Sequence, residues 1–368
     1  MRVAFYAPLK PPDHPVPSGD RRIAQLFLAA LRLAGHEPFV ASRLRSFDGN
    51  GDPARQTRLA ALGRRAAERL LRQWRRTPSA APQLWFTYHP YYKAPDWLGP
   101  TVSRALDIPY VVAEASHAAK REGGAWDVGH RAAAEALRGT DAVLGLNPAD
   151  RAGVLSLLRD SSRWIALPPF LDARLYPPQL PRLFGPVRLI AVAMMRPGDK
   201  LASYRVLAAA LAMLPDLDWS LAVIGDGSAR EEVAAALAPL GSRVLYRGML
   251  GENETAAALR EADVFVWPAI NEAFGMALLE AQASGLPVVA GAGGGVPAVV
   301  AAGETGLLVP PGDAAAFAAA LRRLIVSNDL RARMAAAARA KVEREHDLPA
   351  AAARLGEVIR RLGRARAA

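Results

Sequence analysis

The chain of 368 residues contains no cysteine, which excludes a disulfide scaffold, a thiolate metal site and a cysteine nucleophile. No run approaches the roughly 20 consecutive apolar residues that a membrane-spanning helix needs, so no such anchor is expected. Residues Met1–Tyr6 run straight into Pro8 and a proline-rich loop, without the basic and apolar regions of a secretory signal. The expectation is a cytoplasmic chain, with peripheral attachment to the inner face of the cell membrane left open. No histidine cluster has zinc spacing. Asp216-Leu217-Asp218 has D-x-D spacing, but it precedes a strand instead of ending one, so no metal site is expected. There is no internal repeat at solenoid periods.

What is present is a globular composition, 51% hydrophobic and 22% charged, over a length that suggests about two domains. The net charge of +11 is unevenly spread, +9 in residues 1–180 and +2 in residues 181–368. Basicity is therefore mainly a property of the first half, and local potential is what steers partners.

The opening reads as a βαβ unit: strand Arg2–Tyr6, a loop over Pro8–Asp20, the amphipathic run Arg21–Ala34, then strand Glu37–Ala41. Short apolar runs at Gln83–Tyr88, Pro109–Ala113 and Ala142–Leu146 predict further buried parallel strands. A second series, Val187–Met194, Trp219–Ile224, Arg243–Arg247, Ala262–Trp267 and Pro287–Ala290, alternates with Ala-rich helices such as Ser203–Leu214 and Ala229–Leu240. Between the series, Ile165–Gly185 is proline-rich and lacks periodicity, as a linker would. From Ala314 the pattern is helical, with a break near His346–Pro349. The expected architecture is α/β, two doubly wound Rossmann-like domains facing a central cleft. The expected bounds are 1–170, a linker at 171–186, 187–345, and a C-terminal helix over 346–368 that could return to either domain, the N-terminal one included.

The stretch Asn271-Glu272-Ala273-Phe274-Gly275-Met276-Ala277-Leu278-Leu279-Glu280-Ala281 follows an apolar strand and opens a helix. Its two carboxylates lie eight residues apart, about 12 Å of helical rise, and the turn between them offers backbone N–H groups to an anion. One Glu could hold each end of a long ligand. Glutamates at helix starts also serve the dipole or a cap.

This stretch resembles the E-x7-E motif of retaining glycosyltransferases of the GT-B fold, especially glycosyltransferase family 4. Ser284-Gly285-Leu286-Pro287-Val288-Val289, the loop Gly303–Asp313 and Ile224-Gly225-Asp226-Gly227 resemble the same family, so the likeness covers residues 187–313. The N-terminal half shares mainly the architecture and Leu33-Ala34-Gly35-His36-Glu37. By this resemblance Glu272 would hydrogen-bond hydroxyls of the donor sugar and Glu280 would hold the ribose. The amides near Phe274, Gly275 and Met276 would meet sugar and diphosphate. Arg196 and Lys200 sit where the family binds the donor diphosphate, although the family's Arg lies earlier relative to its Lys. Two fixed cations there would stabilise the leaving phosphate without a metal. The implied reaction is metal-independent transfer of a sugar, with retention, from a nucleotide-diphosphate-sugar such as a UDP-sugar or GDP-sugar to an unidentified carbohydrate or lipid-linked acceptor. No cofactor is implied.

Strand Pro109–Ala113 ends in Glu114-Ala115-Ser116-His117, and His117 is the resemblance's catalytic candidate; His89, after Gln83–Tyr88, points the same way and is placed on the acceptor side with Gly19. Gly19 lies where the family has a glycine pair, and only one glycine is present; Ser18 or Asp20 there could equally cap a helix. Gly291-Ala292-Gly293-Gly294-Gly295-Val296 follows a strand but lacks the last glycine of a dinucleotide fingerprint. Ala54–Arg76 carries eight arginines against Glu68 alone, with Leu59, Leu62, Ala66, Leu70 and Trp74 at helical spacing. Such a helix either lies on an anionic membrane with its apolar stripe buried in lipid or packs that stripe on its own sheet. Two other functions fit the sequence: a nucleotide-sugar epimerase on the same scaffold, and a basic binding protein without catalysis. Nucleic acid is not the expected partner.

Overall fold

A computed structural model of the chain describes residues 1–16, 18–179 and 185–367, with side chains through Arg364. Residues 180–184, inside the expected linker, lie outside the described residues. The chain divides into two compact units, Met1–Pro168 with Leu348–Ala368, and Pro169–Asp347.

Unit 1 runs β1 (Arg2–Tyr6), α1 (Gly19–Leu33), β2 (Glu37–Ser42), α2 (Pro53–Arg76), β3 (Leu84–Tyr88), α3 (Gly99–Leu106), β4 (Tyr110–Ala113), α4 (Asp127–Arg138), β5 (Ala142–Gly145), α5 (Arg151–Leu155) and β6 (Trp164–Ala166). All pairings are parallel, in the order β2-β1-β3-β4-β5-β6. Alternation along the buried strands sorts the side chains by face. Ala4, Tyr6 and Trp85 join Ala67, Leu70, Leu71 and Trp74 of α2 in one core cluster. On the other face Phe5 stacks on Phe86 at 5.7 Å, and Phe27 of α1 tilts against Phe86 and Tyr88. The sixth strand, absent from the sequence reading, overlaps the start of the proline-rich stretch Ile165–Gly185. It is short, and its Trp164 lies under Gly145, where an added Cβ would come within 1.9 Å of the indole; three residues before a proline pair carry too little periodicity to announce a strand.

Unit 2 runs β7 (Val187–Val192), α6 (Asp199–Ala212), β8 (Trp219–Ile224), α7 (Arg230–Leu237), β9 (Val244–Gly248), α8 (Glu252–Arg260), β10 (Val264–Trp267), α9 (Met276–Ala283), β11 (Val288–Gly291), α10 (Val296–Val299), β12 (Gly306–Val309), α11 (Ala314–Val326) and α12 (Asn328–Lys341). Its parallel sheet has the order β12-β11-β10-β7-β8-β9. Here the sequence reading missed β12, which lies in the stretch read as a loop.

At the end of unit 2, His346 is 1% exposed. Its Nε2 lies 2.6 Å from the Lys341 ammonium and its Nδ1 2.7 Å from the Pro169 carbonyl. An ammonium only donates, so Nε2 accepts and Nδ1 carries the proton. Burial and Lys341 accordingly push its pKa down to about 4. The helical path breaks at Asp347, which is extended, and α13 (Leu348–Ala367) packs on α1 of unit 1.

In each sheet the strand order reverses direction once, between β1 and β3 in unit 1 and between β7 and β10 in unit 2. Loops leaving the carboxyl ends of those two strands diverge and open a crevice, where ligands of doubly wound sheets bind.

Candidate functional site

In unit 2 the switch point brings together Lys200, from the first turn of α6 after β7, and Glu272, from the loop after β10. Lys200 Nζ lies 2.5 Å from Glu272 Oε2, both side chains being mostly buried. The Trp267 indole N–H donates to the same oxygen at 3.3 Å, and the ammonium sits 5.4 Å from the Trp267 ring centre. Trp267 is fixed in turn by Tyr204, edge to face at 5.0 Å, whose hydroxyl donates to the Ala193 carbonyl at 2.8 Å. Each member thus has its orientation set by another before any ligand arrives.

The loop carrying Glu272 is held by backbone. Gly295 N–H donates to the Glu272 carbonyl at 3.1 Å. A Cβ at Gly294, where φ is +57°, would lie 2.1 Å from that carbonyl oxygen, and one at Gly295 1.9 Å from the Ala273 carbonyl. The glycine-rich segment is therefore a close-packing device beneath Glu272, consistent with its poor match to a dinucleotide fingerprint. Asn271 Nδ2 donates to Asp199 Oδ1 at 3.1 Å, and Ile270 N–H to Ser203 Oγ, which tie the loop to α6.

Gly275 adopts the left-handed region, φ +70°, and turns the chain into α9. The first amides of a helix have no acceptor within it and carry the positive end of its dipole, so Met276 and Ala277 offer an anion-binding corner beside Lys200 and Glu272. Phe274 and Gly275 are buried there and Met276 is half-buried. Glu280 stands one turn further along α9, also buried. Arg196 is exposed in the β7–α6 loop, its carbonyl accepting from Leu201 N–H at 3.1 Å. The Ile224–Gly227 turn lies against the same loop: Met195 N–H donates to the Asp226 carbonyl at 2.9 Å, and Cβ atoms at Gly225 and Gly227 would strike the Ala193 and Met195 carbonyls.

In unit 1 the switch point joins Asp20, at the start of α1, to His89, just after β3: Nδ1 lies 2.9 Å from Asp20 Oδ1. Burial opposes the charged imidazole, but Glu114 and Asp20 outweigh it and raise the His89 pKa. Gly19 opens α1 with Ser18 as its cap, and an added Cβ there would meet nothing within 4 Å. His117 lies elsewhere, stacked on the buried His130 at 4.7 Å; burial and then His130 lower its pKa. Its loop is pinned by α5, since a Cβ at Gly153 would come within 2.2 Å of the His117 carbonyl. Sequence reasoning missed Asp20 as a partner for His89, and it missed Asp96. Buried Asp96 accepts from Thr87, Tyr110 and the amides of Leu98 and Gly99, and so braces the segment that follows His89.

Most of the apolar stripe of α2 is consumed by unit 1 itself: Leu59, Ala60, Ala67, Leu70, Leu71 and Trp74 are buried and Ala66 is half-buried, while Leu62 is exposed. Its arginines 55, 58, 64, 65, 69, 72, 75 and 76 are all exposed. No helix among the described residues is long and apolar enough to cross a membrane, and no group of three His, Asp or Glu among them is placed to hold a metal.

Residues 186–327 match the family described as "Glycosyl transferases group 1". The chain is 41% identical over 122 residues to the D-inositol 3-phosphate glycosyltransferase of Streptomyces scabiei, covering 32% of this chain and 27% of that protein. It is 39% identical over 128 residues to the phosphatidyl-myo-inositol mannosyltransferase of Mycobacterium leprae, covering 34% of each. The matched stretch thus spans about a third of these relatives' length. Among solved structures, Anabaena HepE in complex with UDP superposes with a TM-score of 0.74 at 15% identity, over 98% of this chain and 100% of that one. That likeness shows the fold, which is GT-B, two parallel six-stranded sheets with helices.

Proposed function

We propose that the chain is a glycosyltransferase that moves a sugar from a nucleotide-diphosphate-sugar to a hydroxyl-bearing acceptor, with retention and without a metal. The observation that carries this reading is the Lys200–Glu272 pair at the unit 2 switch point, beside the start of α9. It supplies three recognition elements: a fixed cation and orphan helix amides for a diphosphate, and a carboxylate for sugar hydroxyls. The cation and carboxylate satisfy each other. A donor replaces that contact, its phosphate oxygens taking Lys200 and its hydroxyls donating to Glu272, so neither group is left without a hydrogen-bond partner.

Glu280, further along α9, is the group to accept from ribose hydroxyls, and Arg196 adds a second, exposed cation from the β7–α6 loop. As the bond from the anomeric carbon to the phosphate oxygen breaks, Lys200 and the α9 amides stabilise the charge that develops there. The acceptor oxygen bonds to the anomeric carbon on the same face, and its proton passes to the departing phosphate. The names of the S. scabiei and M. leprae relatives, and the UDP bound to HepE, support this donor and acceptor chemistry. The exposed arginines of α2 support electrostatic docking on an anionic membrane surface; with most of the apolar stripe buried, that docking is adsorption, lost as salt rises, and not insertion.

A metal-free thermal-shift panel of nucleoside diphosphates and their sugars tests the reading, because ligands of the native state raise Tm. The expected outcome is a rise selective for one nucleotide in the wild type and lost in Glu280→Ala. No rise with any nucleotide at millimolar concentration would overturn it.

A further inference from the structure

Trp267 closes β10, and all four residues of that strand are buried. A buried indole usually finds an acceptor for its N–H, and the two tryptophans of unit 2 do so in different ways. Trp219, in β8 of the same sheet, donates to the Leu214 carbonyl at 2.9 Å, a bond that serves the fold alone. Trp267 donates instead to a carboxylate of the candidate site, Glu272 Oε2 at 3.3 Å. Packing at this position would be met by any large apolar ring, so what the indole adds is that one donor.

The same oxygen also receives the Lys200 ammonium. Both donors therefore fall on Oε2, and Oε1 is the oxygen left to accept from an incoming hydroxyl. The two donors differ in how firmly they are held. Lys200 swings on a flexible stem, and in the reading above it turns to the diphosphate. Trp267 has only two side-chain torsions, and its ring, 2% exposed, is wedged against the fully buried Tyr204. Once Lys200 turns away, the indole N–H still orients Glu272, whose loop holds Ala269 and Asn271 in the left-handed region at φ of +56° and +50°.

We propose that Trp267 is a positioning residue for the sugar half of the donor, acting through Glu272: its N–H pins Oε2 so that Oε1 presents one fixed direction to the sugar's hydroxyls. The assignment rests on the glycosyl-transfer reading above and adds to it what selects the sugar. A carboxylate pinned at one oxygen accepts well from a hydroxyl in one place and poorly from that of the epimer, whereas a carboxylate free to turn follows either. The diphosphate is met by Lys200 and the α9 amides and has no use for the indole N–H. Loss of that N–H is thus felt by a nucleotide-sugar and not by the bare nucleotide.

Calorimetric titration of the full chain tests this with UDP, UDP-glucose and UDP-galactose, and with GDP, GDP-glucose and GDP-mannose, each series holding a pair of epimers. Trp267→Phe keeps an aromatic face for the Lys200 ammonium, which lies 5.4 Å from the ring centre, and removes the N–H. The expected result is that it weakens the preferred nucleotide-sugar about tenfold, leaves the matching diphosphate within about twofold, and narrows the preference between epimers. Trp219→Phe is the matched control, losing a bond of the same kind outside the site: it should lower Tm and leave the ratio of the two affinities where it was. Thermal melting without ligand reports folding, and Trp267→Met, which fills the space flexibly, carries the test if Trp267→Phe unfolds. Equal weakening of sugar and diphosphate, no weakening of either, or an equal shift of the ratio in Trp219→Phe would overturn the proposal. Glu272→Gln separates that failure from failure of the function: a ratio moved by Glu272→Gln and not by Trp267→Phe removes the indole alone. If neither series binds the wild type, the function falls and this assignment with it.

Discussion

The same topological device finishes differently in the two units. Each reversal of strand order brings together a basic and an acidic group from loops far apart in sequence, Lys200 with Glu272 and His89 with Asp20. In unit 2 the pair is closed on itself: Trp267 and Tyr204 fix its geometry, and Gly294 and Gly295 let the backbone pack directly beneath Glu272. In unit 1 the pair instead sits beside two non-glycine residues held in the left-handed region, His89 and Glu114, with the buried Tyr88 hydroxyl facing Glu114. A closed pair suits a ligand that brings an anion for the lysine and hydroxyl donors for the carboxylate.

The sharpest test of the unit 2 half is chemical. Glu272→Gln keeps the shape but removes the charge that Lys200 faces, and transfer should fall by about 100-fold or more in a chain that still folds; unchanged turnover would remove Glu272 from the site. The next effect is on packing. Gly294→Ala drives a methyl into the Glu272 carbonyl at a backbone angle that disfavours any Cβ, and should destabilise by about 3 kcal/mol, read from denaturant midpoints. A wild-type midpoint would show the glycine segment to be slack.

His346 gives a pH signature. Its folded pKa of about 4 lies below the unfolded value of 6.5, so the unfolded chain binds the extra proton between them. Its contribution is complete above pH 6.5 and is lost as pH falls toward 4, on the order of 3 kcal/mol. His346→Gln should flatten that part of the stability profile, and a parallel loss in the variant would assign the slope to carboxylates instead. The smallest effect sharpens the comparison. Tyr88→Phe removes a buried hydroxyl that faces only Glu114 and should change stability by less than about 1 kcal/mol, whereas Trp267→Phe, which strips a bond from Glu272, should cost about 1–3 kcal/mol. Equal losses would mean the two crevices are finished alike.

Most of the fold was legible in the sequence, because buried parallel strands announce themselves as short apolar runs between helical segments. Trp164–Ala166 and Gly306–Val309 escaped because three or four residues between prolines and glycines hold too little pattern. The Asn271–Ala281 segment could be read because its helix start and both carboxylates are local. The contact of Glu272 with Lys200 could not, since it depends on β10 lying beside β7, a pairing of strands that are not consecutive. The Asp20–His89 contact was hidden for the same reason, with 69 residues between its partners. His117 and His89 looked alike on paper, each a histidine just past a strand, and only the third dimension places one against His130 and the other against Asp20.

One consequence follows from α13 leaving unit 2 at Asp347 and packing on α1. Unit 2 is a single continuous segment, while unit 1 is assembled from both ends of it. Domains fold as units as the chain is synthesised, so on the ribosome the earlier-made unit cannot be completed until residues 348–367 emerge, after every residue of the later one. The order of synthesis and the order of completion are thereby reversed.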